Sequence, residues 1–429
     1  MGVISAHNEL LSEPDHLEYE RRIERLREIL DKESLDGVIV SDRRYDPDNP
    51  PAMTAPPYAR YLSNMTLYGG GGGAAVWAHR ANPLVVASRS ADPVLVLPPG
   101  LRNSWVSYAR HRSWIVDVKC AGENRVWASN HDFPSNSGVI SPDDIAEAIE
   151  QSGLSRGRIG ISGNWPDMHA IADRFPGAEF VPVIQPTQNG RRRDVLEPLI
   201  GANSEWEIAR LERAQIAANV AIEALRTAAK GGATVREAGR EGRLAAIRAG
   251  ADELSVDGSV IAEPWTFAAY DLAPESLTFE RGKLYLIEIA YCMVDGYSVQ
   301  TCRLFTVGEP EPEVQRMYDT AMTSLHAMLN KLSVGVTGAD MWDAGIGPLQ
   351  DGGYAPWCRL GHSCGFEMFG PQRLQFFPGD RYQVEPHQAV TVHAPIVSGD
   401  GNTVGIIGDT VLAIEDGWRY FAPPADYAL

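Results

Sequence analysis

Long apolar runs are missing from this chain. No stretch approaches the roughly 18 uninterrupted apolar residues that a membrane-spanning helix needs, and the polar start from Met1 to Pro14 holds no signal-peptide core. A cytoplasmic protein without a membrane partner is therefore expected. Positive charge is also scarce. Against 56 Asp+Glu stand 38 Lys+Arg, for a formal charge of −18. Such a surface repels phosphate backbones, so nucleic acid is not an expected partner either. Cysteine is rarer still, with Cys120, Cys292, Cys302, Cys358 and Cys364 as its five members. Their number is odd and no C-x-x-C spacing occurs, which excludes a zinc finger and fits free thiols better than a disulfide framework. The glycine run Gly69–Gly73 lacks the Lys-Ser/Thr of a phosphate loop and the G-x-G-x-x-G frame, and reads as a tight turn.

What is present is an ordinary globular composition, 44% hydrophobic and 22% charged, over 429 residues. That length exceeds what one compact core usually holds. From Asp15 to Asp31, Leu17, Ile23, Leu26 and Leu30 fall on one helical face, and Asp36–Ser41 follows as a buried strand. Further short apolar runs, at Ala74–Trp77, Pro83–Ala87, Pro93–Leu97 and Arg158–Ser162, predict a mixed α/β domain over residues 1–190. At Gln188–Asp194 the composition turns polar and basic. Two capping boxes then open helices, Ser204-Glu-Trp-Glu207 and Thr234-Val-Arg-Glu237, and a third helix is expected near Glu313–Lys331. Strands are expected at Leu284–Met293, Val299–Val307, Ala389–Pro395 and Thr410–Ile414, completing a second domain over 191–429. The fold class is α/β (α+β).

Four fragments of the second half carry a resemblance: GKLYLIEIAYCMVDGYSVQTCRLF, GHSCGF, VEPHQAVTVHAP and GDTVLAIEDG. In this order and spacing the chain resembles the creatinase, aminopeptidase P and prolidase family over essentially its whole length. The resemblance implies a smaller creatinase-like N-terminal domain, a C-terminal pita-bread catalytic domain, and a homodimer. The family's metallopeptidases hold two metal ions with Asp, Asp, His, Glu and Glu. Taken position by position, those ligands fall here on Glu288, Gln300, His362, His393 and Gly408, so that His362 alone is unchanged. Two divalent cations held close together need several carboxylate oxygens to offset their repulsion. A dinuclear metal site is therefore not expected, nor is any other cofactor.

Within the resemblance the metal-free enzyme is creatinase, which cleaves a C–N bond with side chains alone. Gly361-His362-Ser363 matches its motif, and Arg373 falls where it grips a substrate carboxylate, a task suited to an Arg fork. Asp271 replaces its general-base histidine, with Pro274 keeping the spacing. Phe369 replaces its second histidine, and Cys302 and His393 replace its guanidinium-binding glutamates, so creatine itself is not the expected substrate. Catalytic roles are accordingly expected for Asp271, Glu288, His362 and His393. A carboxylate on a strand among Leu286, Ile287 and Ile289 is costly unless paired or useful, and imidazoles give and take protons near neutrality. Substrate contacts are expected from Gln300, Arg373, Tyr270, Trp265 and Phe369, and support for the site from Asp409. Cys364 could serve as a thiol nucleophile, but free cysteines are mostly inert.

The expected activity is metal-independent cleavage of a C–N bond in a small carboxylate-bearing metabolite, by hydrolysis, elimination or cyclisation. One alternative is a mononuclear metalloenzyme using Glu288, His362 and His393. Another is a non-catalytic pita-bread module that binds peptides, and the weakest is a dinuclear Xaa-Pro peptidase.

Overall fold

The computed structural model describes residues 16–41, 58–65, 83–97, 102–120, 140–162, 168–186, 192–252, 258–261, 274–366 and 374–429. The chain divides into two compact units, Met1–Leu199 and Ile200–Leu429. The expected strand at Ala74–Trp77 lies outside the described residues.

In the first unit, a mixed six-stranded sheet runs in the order β4-β3-β2-β1-β5-β6. Its strands are β1 (Gly37–Ser41), β2 (Leu84–Ser88), β3 (Val94–Leu97), β4 (Asp117–Cys120), β5 (Gly157–Ile161) and β6 (Ala178–Pro182). The three central runs, GVIVS, LVVAS and VLVL, are buried at every position, as expected of strands covered on both faces. Helices α1 (His16–Lys32), α2 (Tyr58–Ser63), α3 (Arg102–Arg112), α4 (Pro142–Gln151) and α5 (Met168–Ala172) accompany them, and a short hairpin of β7 (Ile184–Pro186) and β8 (Arg192–Asp194) ends the unit. One expectation fails in α1: Leu17 is 68% exposed, while Glu18 and Arg22 are buried. Their burial is tolerable because Arg22 Nε donates to Glu18 at 2.6 Å and its Nη1 to the Tyr61 carbonyl at 2.5 Å.

In the second unit both capping boxes form, at the heads of α6 (Glu205–Lys230) and α7 (Val235–Arg248). The sheet is antiparallel and seven-stranded, in the order β12-β13-β14-β11-β10-β9, with β15 (Gly417–Tyr420) beside β14. Its other strands are β9 (Gly258–Ile261), β10 (Tyr285–Val294), β11 (Tyr297–Phe305), β12 (Gly361–Cys364), β13 (Ala389–Val397) and β14 (Val404–Ile414). Helix α6 packs on β10 and β11, and α8 (Pro312–Lys331) on β13 and β14, with α9 (Gly338–Asp351) against α8. Strand β14 begins well before the expected Thr410, at Val404, and pairs with β11 on one side and β13 on the other. The register of β11 against β10 breaks between Ile289 and Cys292. There two residues of β10 oppose Gln300 alone, forming a β-bulge.

Candidate functional site

Strand alternation sorts the second unit's sheet residues onto two faces. Cross-strand partners share a face, and one row reads Glu288–Cys302–Gly408–His393 across β10, β11, β14 and β13. A second row on the same face reads Thr410–Thr391–His362, with Gln300 beside Thr410. Strand register thus brings Glu288, Gln300, His362 and His393 together. Thr301, Arg303 and Asp409 occupy the opposite face, where Gln215 of α6 donates to Thr301 Oγ1 at 2.8 Å. Asp271, Tyr270, Trp265, Phe369 and Arg373 lie outside the described residues.

Gln300 links a carboxylate to an imidazole. Its amide lies 2.6 Å from Glu288 Oε1 at one end and 2.8 Å from His362 Nε2 at the other. His362 Nδ1 sits 2.7 Å from the Ser363 carbonyl, an oxygen that can only accept, so Nδ1 carries a hydrogen. Two arrangements satisfy this chain. With the Gln300 nitrogen towards Glu288, both imidazole nitrogens donate and His362 is a cation beside a carboxylate. With the amide reversed, Gln300 donates to a neutral His362 and Glu288 carries the proton. Burial, the Arg359 charge and His393 hold His362 well below its ordinary pKa, which favours the second arrangement. In either arrangement Glu288 and His362 share one titratable proton through the amide.

Gln300 is fixed by its backbone as well. Its N–H donates to Thr410 Oγ1 at 2.9 Å, and the Thr410 hydroxyl donates back to the Gln300 carbonyl at 3.0 Å. Thr391, 2.9 Å from Thr410 Oγ1, must then be the donor in that pair. The threonines are site components that sequence reasoning missed, although Thr391 stands two places before His393 on an alternating strand and was open to the same argument. Both ends of the Gln300 amide are engaged within the protein, which gives this side chain a positioning geometry.

His393 differs from its neighbours. It is 2% exposed, its ring centroid is 5.7 Å from that of His362 at 66°, and among the described residues its Nδ1 has no hydrogen-bond partner. Burial first, and the Arg359 charge second, depress its pKa to about 3, so the ring is neutral. Cys364 donates to the Ser298 carbonyl at 3.2 Å and burial pushes its thiol up, the state of an inert buried cysteine.

Behind the site face, Arg303 is fully buried. It donates to the carbonyls of Cys302 (2.8 Å) and Gly408 (3.0 Å), to Asp409 (2.8 Å) and to the Ala425 carbonyl, while its guanidinium lies 3.9 Å from the Tyr427 ring centre. Tyr427 also donates to Asp409. Arg303 therefore ties the Cys302 and Gly408 carbonyls to the C-terminal segment from behind the row, and Asp409 holds Arg303 and Tyr427 together there.

The donor set does not fit a pair of metal ions. Gln300 is neutral and spends both amide ends internally, His362 Nε2 is occupied, and Gly408 supplies no ligand. A Cβ at 408 would stand 2.1 Å from the Val392 carbonyl oxygen and 2.6 Å from His393 Cα, so no side chain enters there without moving backbone. Among the described residues no three His, Cys, Asp or Glu side chains group as a metal site.

Two units, the second an antiparallel sheet backed by helices with its polar row on the opposite face, define a pita-bread protein preceded by a creatinase-like domain. Residues 209–415 match metallopeptidase family M24. The second unit belongs to that family, the group of creatinase, aminopeptidase P and prolidase. Solved structures with the same fold include an Xaa-Pro dipeptidase from Bacillus anthracis, 20% identical, with 96% of this chain and 100% of that one covered at a TM-score of 0.70. A prolidase from Thermococcus sibiricus is 16% identical, covered at 96% and 99%, with a TM-score of 0.71. The N-terminal domain of a FACT complex subunit from chickpea (Cicer arietinum) is 14% identical, covered at 96% and 97%, with a TM-score of 0.60. No curated protein matches by sequence. No helix among the described residues is long and apolar enough to cross a membrane.

Proposed function

We propose that this protein is a metal-independent hydrolase of the M24 fold, cleaving a C–N bond in a small carboxylate-bearing metabolite in the cytoplasm, as a homodimer. The observation that carries the proposal is the Glu288–Gln300–His362 hydrogen-bonded chain, which stands at three of the family's metal-ligand positions and engages both ends of the Gln300 amide, Glu288 Oε1 and His362 Nε2. In this scheme Asp271 takes a proton from water as the oxygen bonds to the scissile carbon. Glu288 gives its proton to the leaving nitrogen as the C–N bond breaks, and Asp271 then returns a proton to Glu288. The net change is addition of one water across the bond, giving an acid and an amine. His362 holds Glu288 in its protonated form through Gln300, and Arg373 clamps the substrate carboxylate.

A direct test incubates the protein with N-acyl and N-carbamoyl amino acids and with Xaa-Pro dipeptides, each with chelator or with added manganese. Turnover of the small N-substituted amino acids that chelator leaves unchanged is expected. Turnover confined to Xaa-Pro dipeptides in manganese would overturn the proposal. A non-catalytic binding module is the second possibility, supported by the same loss of ligands; it predicts affinity for peptides without turnover of any compound.

A further inference from the structure

We propose that His393 is the group that receives the substrate's scissile carbonyl oxygen, donating Nδ1–H to the negative charge that develops there, and that the substrate's reacting carbon is consequently an acyl or carbamoyl carbon. This rests on the hydrolase reading and names the substrate class for it.

When water adds to an acyl carbon, the C=O electron pair moves onto oxygen, and that oxygen needs a positioned donor in a site closed to bulk water. In the family fold a metal ion could meet such a need, but here the donor set does not accommodate the metal pair. Most polar groups on this face are already committed: Gln300 to Glu288 and His362, Thr391 to Thr410, and Thr410 to the Gln300 backbone. His393 Nδ1 is the buried atom on the face that lacks a partner among the described residues. Register places it in one row with Glu288, and its ring centroid lies 5.7 Å from that of His362, so it stands on the same sheet face as the proposed acid. A neutral imidazole suits the task, because a hydrogen-bond donor for an oxyanion need not change its protonation state. Gly408 opposite permits this placement, since any Cβ there would lie 2.7 Å from His393 Cβ.

A neutral donor and a proton shuttle respond differently to substitution. Asparagine presents an N–H near the position of Nδ1 and does not titrate, whereas alanine presents nothing. The experiment measures turnover of N-acyl and N-carbamoyl amino acids, and of a guanidinium-bearing analogue that offers donors and no carbonyl acceptor. It uses the full chain in chelator, as wild type, His393→Asn and His393→Ala, across pH 5–9. The expected result is turnover of carbonyl compounds only, with His393→Asn within about tenfold of wild type and the same pH profile, and His393→Ala slower by about a hundredfold or more. If His393→Asn is as slow as His393→Ala, or the guanidinium analogue is the preferred substrate, the inference is overturned while the hydrolase reading stands. If the wild type turns over nothing without metal, the hydrolase reading fails and the inference with it.

Discussion

At the scale of single residues, the site is organised around an amide where a charged ligand would be expected. Glu288 could be picked out from the sequence because it interrupts an apolar run with a group that is costly to bury, and His362 and His393 because they stand at positions marked by the family resemblance. Gln300 carried less signal: its two faces suggested substrate contact, and only the folded register reveals that Glu288 and His362 already occupy them. Gln300→Leu removes both hydrogen bonds and leaves Glu288 and His362 without their common partner. Hydrogen bonds of this kind are worth about 1.5–3 kcal/mol each. We expect kcat to fall by roughly ten- to a hundredfold per bond lost, with KM little changed. A variant that raises KM alone would show instead that Gln300 binds substrate.

At the scale of elements, the strands that build the site were readable where apolar residues alternate and hidden where glycine breaks the pattern. Strand β14 was expected from Thr410, yet it begins at Val404, because Gly405 and Gly408 depress strand propensity. The hidden part pairs with β13 and sets Gly408 against His393. The bulge of β10 opposite Gln300 is likewise hidden from a linear reading, because it depends on how β10 pairs with β11. The close approach of β13 and β14 makes position 408 sensitive. Gly408→Ala places a methyl group against the Val392 carbonyl, a backbone atom that cannot rotate away. Overpacking of this kind costs about 1–3 kcal/mol, so the urea midpoint of the second unit should fall. An unchanged midpoint would mean that the strands separate freely and that a carboxylate could return there.

At the scale of the whole molecule, two buried groups, one in each unit, should answer pH in opposite directions. In the first, Asp194 accepts from Tyr58 at 2.7 Å in an enclosed site, and burial raises its pKa from 3.8 to about 6. The folded state then binds a proton that the unfolded chain releases, so this contribution to stability is full below pH 3.8 and is lost as pH rises through about 6. In the second, burial lowers His393 from 6.5 to about 3. The unfolded chain takes up a proton that the folded state refuses, so this contribution is full above pH 6.5 and is lost as pH falls towards 3. Asp194→Asn should therefore raise the stability of the first unit at pH 7 and not at pH 4, read by hydrogen exchange in that unit alone. Equal effects at both values would contradict the assignment. The family resemblance was accessible from sequence, through four ordered fragments. The proton-sharing chain was not, because it depends on side chains from three strands meeting across a sheet.

The central proposal is that Glu288, Gln300, His362, His393 and Gly408 do not form a metal centre. It is tested most directly by elemental mass spectrometry of the full chain purified without chelator and then dialysed against excess manganese, with metal normalised to protein. A set in which the Gln300 amide, Glu288 Oε1 and His362 Nε2 are engaged with one another should retain far less than one metal per chain. Retention of a full equivalent would revive a site built on Glu288, His362 and His393, and retention of two would contradict the ligand assignment altogether.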